Sequence, residues 1–162
     1  MDMDSRNQIS ALRELIHRTF PDTRYEGQVA LDDGELNELD DGHDLYEELN
    51  GRKWTELPAS FLHAHPDGYV LLTDQAFRAF VAAWLIAALE NTSQENLVRN
   101  FLSYAFSNNS RQYRILDRTQ RETVRLLVNE LAQSERSDFV RQHALEAIKL
   151  LAKVENDIEP RD

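Results

Sequence analysis

The chain has 162 residues, of which 41% are hydrophobic and 29% are charged, a composition typical of a single folded domain and not of a disordered segment. It contains no cysteine, which excludes disulfides, thiolate metal sites and cysteine nucleophiles and fits a reducing cytoplasm. The formal net charge of −11 argues against binding to nucleic-acid phosphates, because that mode needs clustered Lys and Arg.

The first part of the chain contains one long predicted helix followed by short elements. Apolar residues at helical spacing predict a helix over 5–20, and Pro21 ends it. From residue 22 to residue 42 no hydrophobic period holds, and three glycines interrupt the segment. The short elements expected before residue 73 are an extended piece near 28–31, a helix over 43–50, a helix that begins at Pro58, and an extended piece near 69–72.

Residues 74–90 form the most apolar segment of the chain, and Thr73 is well placed to cap them as a helix. A helix that is apolar around most of its circumference is normally buried by neighbours on several sides. Three further helices are expected, and the tail 156–162 is expected to fray. Their predicted starts are Thr92 with Glu95, Asp117 with Gln120, and Ser137 or Asp138.

These elements predict a mainly α fold, a single-domain bundle over 1–162 with about five main helices around the central helix 74–90. No membrane segment is expected, because the longest apolar run, Phe77 to Leu89, is interrupted by Arg78 and is too short to span a bilayer. The acidic, polar N-terminus also lacks the features of a secretory signal.

Residues 52–90 resemble the most characteristic block of a bacterial family known as domain of unknown function 6714. The opening helix and the later segment RILDRTQRETVRLLVNELA are also similar to that family. Two departures, Asp74-Gln75 for a usual Pro-Glu and Val81-Ala82 for a frequent Leu-Pro, each keep a helix start or interior. The resemblance implies no activity, because the family has none assigned. The matching residues of the central block are Trp54, Leu57, Pro58, Leu72, Thr73, Ala76, Phe77, Arg78, Ala87, Ala88 and Leu89.

Residues 26–50, here named the acidic segment, hold ten of the 29 acidic residues and no Lys or Arg. The rest of the chain carries 19 acidic and 18 basic residues, a net charge of −1. A calcium loop of the EF-hand type does not fit, because Leu39 or Val29 would fall at a position that needs an oxygen ligand. Two interpretations remain: a solvated loop that aids solubility, and a docking surface for a basic partner.

The docking interpretation gives a role to the Leu and Tyr residues among the carboxylates, which either anchor the segment on the fold or form the apolar centre of an interface. The predicted partner-binding residues are Asp32, Asp33, Glu35, Glu38, Asp40, Asp41, Asp44, Tyr46, Glu47, Glu48 and Trp54.

Other side chains give weaker indications of a site. His63 and His65 have a spacing that can bring two imidazoles to one metal from a strand. No further His lies near in sequence, although Asp67 does, and we interpret the two as surface or partly packed histidines. Trp84, inside the apolar helix, is expected in the core, whereas Trp54 fits either the core or a ligand cleft. Arg78 is expected to pair with a carboxylate or to extend to solvent. No catalytic signature, cofactor motif or metal site is predicted.

Three classes of function remain. The first is a non-enzymatic acidic binding protein, such as an immunity protein or an inhibitor, whose basic partner is a toxin or a nucleic-acid-binding protein. The second is an enzyme with a site near Trp54, His63, His65 and Arg78. The third is a structural or regulatory module that self-associates through its apolar helices. The first is favoured because it explains the uneven charge, the small helical fold and the missing catalytic motif.

Overall fold

The computed structural model describes residues 3–30, 41–90, 96–108, 111–134 and 137–160. The predicted mainly α fold is confirmed, since the described residues form helices and no β-sheet. Two 3-10 helices, Trp54–Glu56 and Gly68–Leu71, accompany the α-helices. None of the helices in these ranges combines the length and the apolar composition needed to cross a bilayer. The α-helices are α1 (Met3–Thr19), α2 (Asp41–Leu49), α3 (Ala59–Ala64), α4 (Asp74–Leu89), α5 (Leu97–Asn108), α6 (Arg111–Arg114), α7 (Arg118–Ser134) and α8 (Asp138–Ile158).

The centre of the bundle is α4, as the sequence predicts. Eleven of its 16 residues are buried, and it contacts α1, α3, α5 and both 3-10 helices. Thr73 caps the helix, because its hydroxyl accepts a hydrogen bond from the Ala76 amide at 3.3 Å. Outside this centre, α8 packs on α5 and α7, and α1 packs on α7. The five long helices therefore enclose one continuous apolar core.

The extended piece expected near 69–72 is wrong for most of its length. The chain there forms the 3-10 helix Gly68–Leu71, and the Val70 amide donates to the Asp67 carbonyl at 3.0 Å. The local turn begun by Asp67 and Gly68 continues because it satisfies backbone groups that a lone strand would leave without a partner. The extended conformation is confined to Leu72, which forms an isolated antiparallel bridge with Ala30.

Several helix boundaries differ from the sequence expectation: α1 begins at Met3 and not at residue 5, and α2 spans Asp41–Leu49 and not 43–50. α5 begins at Leu97, where the Asn96 side chain accepts from the Arg99 amide at 3.2 Å; the expected cap, Thr92 with Glu95, lies outside the described residues. The fraying expected from residue 156 is wrong for its first residues, because α8 continues to Ile158.

The predicted start of α7 is confirmed in detail. The Asp117 carboxylate accepts from the Gln120 amide at 2.8 Å, and the Gln120 side chain accepts from the Asp117 amide at 3.2 Å. This reciprocal pair satisfies two donors at the helix start, as a capping box does.

Candidate functional site

The two ends of the acidic segment are fastened to each other. The Tyr25 amide donates to the Arg52 carbonyl at 3.0 Å, and the Gly51 amide donates to the Tyr25 carbonyl at 2.8 Å. The Arg24 guanidinium donates to the Gly51 carbonyl and pairs with the Glu56 carboxylate at 3.0 Å. Gly51 has a φ of +76°, a left-handed conformation that favours glycine after a helix. The residues on the two sides of the acidic segment are therefore joined to each other by hydrogen bonds.

The residues before the undescribed part of the segment are also held. Val29 and Ala30 are buried, and the Val29 carbonyl accepts from the Thr73 amide at 2.9 Å. The Thr73 hydroxyl donates to the Gln28 carbonyl at 2.9 Å while it caps α4. Residues 28–30 are thus attached to the start of the central helix.

Helix α2 carries Asp44, Glu47 and Glu48 of the segment and is itself anchored in the core. Its period of four places Leu45 and Leu49 on one side, and both are fully buried. Asp44 and Glu47 are exposed on the other side, and Tyr46 keeps 37% of its surface in contact with solvent. Leu45 and Leu49 therefore act as anchors, and neither offers area to a partner.

An ion pair and a contact with a histidine lie at two carboxylates of α2. Glu48 pairs with Arg52 at 3.1 Å, and His65 Nε2 lies 3.9 Å from Asp44 Oδ2. Pairs of this exposure typically contribute about 0–1 kcal/mol to stability. Their larger effect is on the local potential, because Arg52 compensates one carboxylate at the end of the helix.

Below α2 the packing is tight around Gly68. The Trp84 indole N–H donates to the His65 carbonyl at 2.9 Å, and Trp84 is fully buried. A Cβ added to Gly68 would lie 3.1 Å from Leu45 Cδ2, 3.2 Å from Trp84 Cζ2 and 3.3 Å from His65 Cβ. Glycine at this position therefore allows the acidic helix to sit close to the central one.

Gly68→Ala is expected to lower the free energy of unfolding by about 1–3 kcal/mol, because the added Cβ would crowd Leu45 and Trp84, both of which are fully buried. Urea denaturation followed by circular dichroism measures this change. Ser60→Ala, at an exposed position of α3, is the control and should stay within about 0.5 kcal/mol of the wild type. A Gly68→Ala variant as stable as this control would show that the packing below α2 is loose.

Trp54 belongs to the core. It is 4% exposed, its indole N–H donates to the Phe20 carbonyl at 3.4 Å, and its ring lies 4.8 Å from that of His17. A side chain without accessible area cannot contact a partner, so its assignment to the docking surface is wrong. Trp84 is confirmed as a core residue.

The structure places only part of the predicted docking surface. Asp41 is the first residue of α2, and Asp44, Tyr46, Glu47 and Glu48 follow in the same helix. The remaining predicted partner-binding residues, Asp32, Asp33, Glu35, Glu38 and Asp40, lie outside the described residues. Sequence reasoning missed the hydrogen bonds and the ion pair that join Arg24 and Tyr25 to residues 51–56, since no spacing pattern signals them.

The other candidate site residues do not come together in one site. His63 is exposed, His65 is half-buried with its ring 4.7 Å from that of Phe61, and Arg78 is exposed on α4. Within the ranges that the structure describes, no three metal-ligating side chains come together. Arg78 thus reaches solvent, one of the two arrangements expected for it.

No protein-family model, curated protein or solved structure matches the chain. The resemblance of residues 52–90 to domain of unknown function 6714 stays a prediction. The functional proposal therefore depends on the geometry of α2 and on the distribution of charge.

Proposed function

We propose that the protein is a non-enzymatic acidic binding protein that docks on a basic partner protein through the acidic segment, as an immunity protein or an inhibitor would. The observation that carries this proposal is the two-sided character of α2. Its leucines are fixed in the core while Asp44 and Glu47 are exposed to solvent. A loop that served only solubility would not need such anchors.

The charge distribution supports the proposal because nearly all of the excess lies in one segment. A body with a net charge of −1 attached to a segment with ten carboxylates and no Lys or Arg has a strongly uneven field. Such a field orients an approaching cationic protein and raises its association rate. The ionic strength of a cell limits this effect to about 8–10 Å, so the carboxylates must themselves lie at the contact.

The exposed side chains of α2 also indicate which groups the partner would carry at the contact. Asp44 and Glu47 lie three residues apart on the exposed side of α2, a spacing that one Lys- or Arg-rich surface can bridge. Tyr46 next to them offers an aromatic contact of the kind enriched at interface centres. A toxin or a nucleic-acid-binding protein has such a basic surface, and a cytoplasmic location is part of this proposal.

Neutralising three carboxylates of α2 tests the proposal. The triple variant Asp41→Asn/Asp44→Asn/Glu47→Gln leaves the pair of Glu48 with Arg52 intact and changes the net charge from −11 to −8. We expect it to weaken binding of the partner by about 10- to 100-fold, since each lost charge contact contributes about 1 kcal/mol. A basic protein captured from a cell lysate on the immobilised chain, then purified and titrated by calorimetry, provides the measurement.

The matched control changes the same number of charges elsewhere. Glu14→Gln/Glu122→Gln/Glu146→Gln removes exposed carboxylates from α1, α7 and α8 and also gives a net charge of −8. It should change the affinity by less than about threefold, and wild-type binding should weaken when NaCl rises from about 50 to about 300 mM. Equal binding by the two triple variants, or capture that ignores salt, would contradict the proposal.

The enzyme alternative requires Trp54, His63, His65 and Arg78 to line one cleft. Trp54 is buried, and a small cleft between α7 and α8 is lined by other side chains, among them Arg125 and Asn129. No described contact joins His63 to Arg78. The acidic binding protein is therefore the better supported proposal.

A further inference from the structure

A second surface, formed by α5 and α8, has the opposite character to the acidic segment. The inner side of α5 is buried through Val98, Leu102 and Phe106. Its outer side exposes large apolar side chains three or four positions apart, at one face of the helix. They are Leu97, Phe101 and Tyr104, which are 39–48% exposed.

This surface continues onto α8 through aromatic contacts. The Tyr104 ring lies 5.5 Å from the His143 ring, and the His143 ring lies 4.3 Å from that of Phe139. Phe139 is 49% exposed. We name Leu97, Phe101, Tyr104, Phe139 and His143 the α5–α8 face. Contiguous apolar surfaces of this kind on soluble proteins generally mark interaction sites.

The charge of α5 is unusual for this chain. From Leu97 to Asn108 the sole charged residue is Arg99, which is buried and donates to the Ala88 carbonyl at 3.0 Å. The outward side of α5 is therefore uncharged on a protein in which 29% of residues are charged. A two-fold axis places identical groups opposite each other. The α5 part of the face can therefore pair with itself without bringing like charges together. On α8, the exposed Asp138 next to Phe139 is paired with Arg141.

The exposed apolar area of the α5–α8 face fits association with a second copy of the chain. Its four large apolar side chains expose on the order of 350 Å², taking about 200 Å² for each side chain and the observed 39–49% exposure. A stable interface buries about 800 Å² on each partner, of which about 60% is apolar. The four side chains thus supply most of the apolar area that one half of a dimer needs.

We propose that the α5–α8 face is the interface of a homodimer in which two copies of this chain associate through Leu97, Phe101, Tyr104 and Phe139. This inference is independent of the proposed function of the acidic segment. Sedimentation equilibrium of the full chain from about 1 μM to about 1 mM covers the range in which a micromolar dimer forms. The average mass should rise from the 18.8 kDa monomer towards twice that value. Because two copies of net charge −11 repel each other, added NaCl should strengthen the dimer.

The variant Leu97→Asp/Phe139→Asp should weaken the dimer by more than about 10-fold, since it places four carboxylates in the interface. Both positions lie in the first turn of a helix, where a carboxylate is favourable, so the fold is preserved. Leu126→Glu/Leu145→Glu is the matched control, because these leucines are 44% and 49% exposed outside the face and receive the same two charges.

Circular dichroism confirms that both variants are folded, and the control should dimerise as the wild type does. A strict monomer at the highest concentration, an equal loss in the control, or a dimer that weakens with salt would overturn the proposal.

Discussion

Glu155→Gln is expected to lower the free energy of unfolding by about 3 kcal/mol, because it removes the nearer counter-charge of a buried guanidinium and leaves that group to the exposed carboxylate of Glu159. The Arg121 side chain is only 7% exposed, and its Nη2 lies 3.1 Å from Glu155 Oε1. The Arg121 Nε donates to Glu155 Oε2 at 3.1 Å, so the contact is bidentate. A glutamine keeps the shape of the side chain but removes the charge that balances Arg121.

The surrounding contacts explain why this pair matters to the fold. Arg121 Nη1 donates to the Leu116 carbonyl at 2.8 Å, and the Tyr113 hydroxyl donates to Glu155 Oε2 at 2.7 Å. Burial, together with the bond to Glu155, raises the pKa of the Tyr113 hydroxyl, which therefore stays a donor. The hydrogen bonds among Arg121, Glu155 and Tyr113 join the start of α7 and the preceding turn to the far end of α8.

The same pair predicts a pH dependence. Burial by itself would raise the pKa of Glu155, but the hydrogen bonds from Arg121 and Tyr113 outweigh it and hold that pKa below the usual 4.5. A carboxylate with a lowered pKa stabilises the folded state above its unfolded pKa, and this contribution is lost as the pH falls through the folded value. The stability difference between wild type and Glu155→Gln should therefore be full at pH 7 and narrow below pH 4.5.

Urea denaturation at several pH values measures both effects. Glu159→Gln is the control, because Glu159 contacts the same guanidinium at 3.4 Å from an exposed position and should contribute less than about 1 kcal/mol. If the two variants were equally stable, or if the difference stayed constant down to pH 3, Glu155 would not be the partner that balances Arg121.

Trp84→Ala is expected to lower the free energy of unfolding by about 3–5 kcal/mol. The side chain is fully buried, its ring packs edge-on against Tyr69 at 5.9 Å and Phe61 at 6.5 Å, and its N–H satisfies the His65 carbonyl. The substitution leaves a large cavity that packed neighbours cannot fill. It also removes one of the hydrogen bonds that the His65 carbonyl accepts, while the bond from the Gly68 amide at 3.0 Å remains.

Trp84→Phe separates the two contributions, since it keeps an aromatic ring and removes the N–H. We expect Trp84→Phe to lower the free energy of unfolding by about half as much as Trp84→Ala does. A protease specific for glutamate should also cleave Trp84→Ala faster after Glu47 and Glu48, because Leu45 of α2 packs next to Gly68 and Trp84. A loss below about 1 kcal/mol with unchanged cleavage would contradict a supporting role for Trp84 beneath the acidic helix.

Much of the helical layout could be predicted because its signals are local. The cap at Thr73, the reciprocal pair of Asp117 with Gln120 and the apolar circumference of 74–90 each depend on residues within one or a few turns. The 3-10 helix Gly68–Leu71 escaped prediction because four apolar residues after a turn fit either a strand or a coil, and tertiary packing decides between them.

The sequence by itself determined where the charge lies, that the chain is helical, and which helix is most apolar, because composition and periodicity are properties of neighbouring residues. Only the tertiary structure decided that Trp54 is a core residue, that Leu45 and Leu49 are anchors, and that Arg121 meets Glu155. These outcomes depend on partners that are brought together across distant parts of the chain, such as the 34 positions between Arg121 and Glu155. Burial and pairing of that kind follow from how the helices pack, which no local pattern specifies.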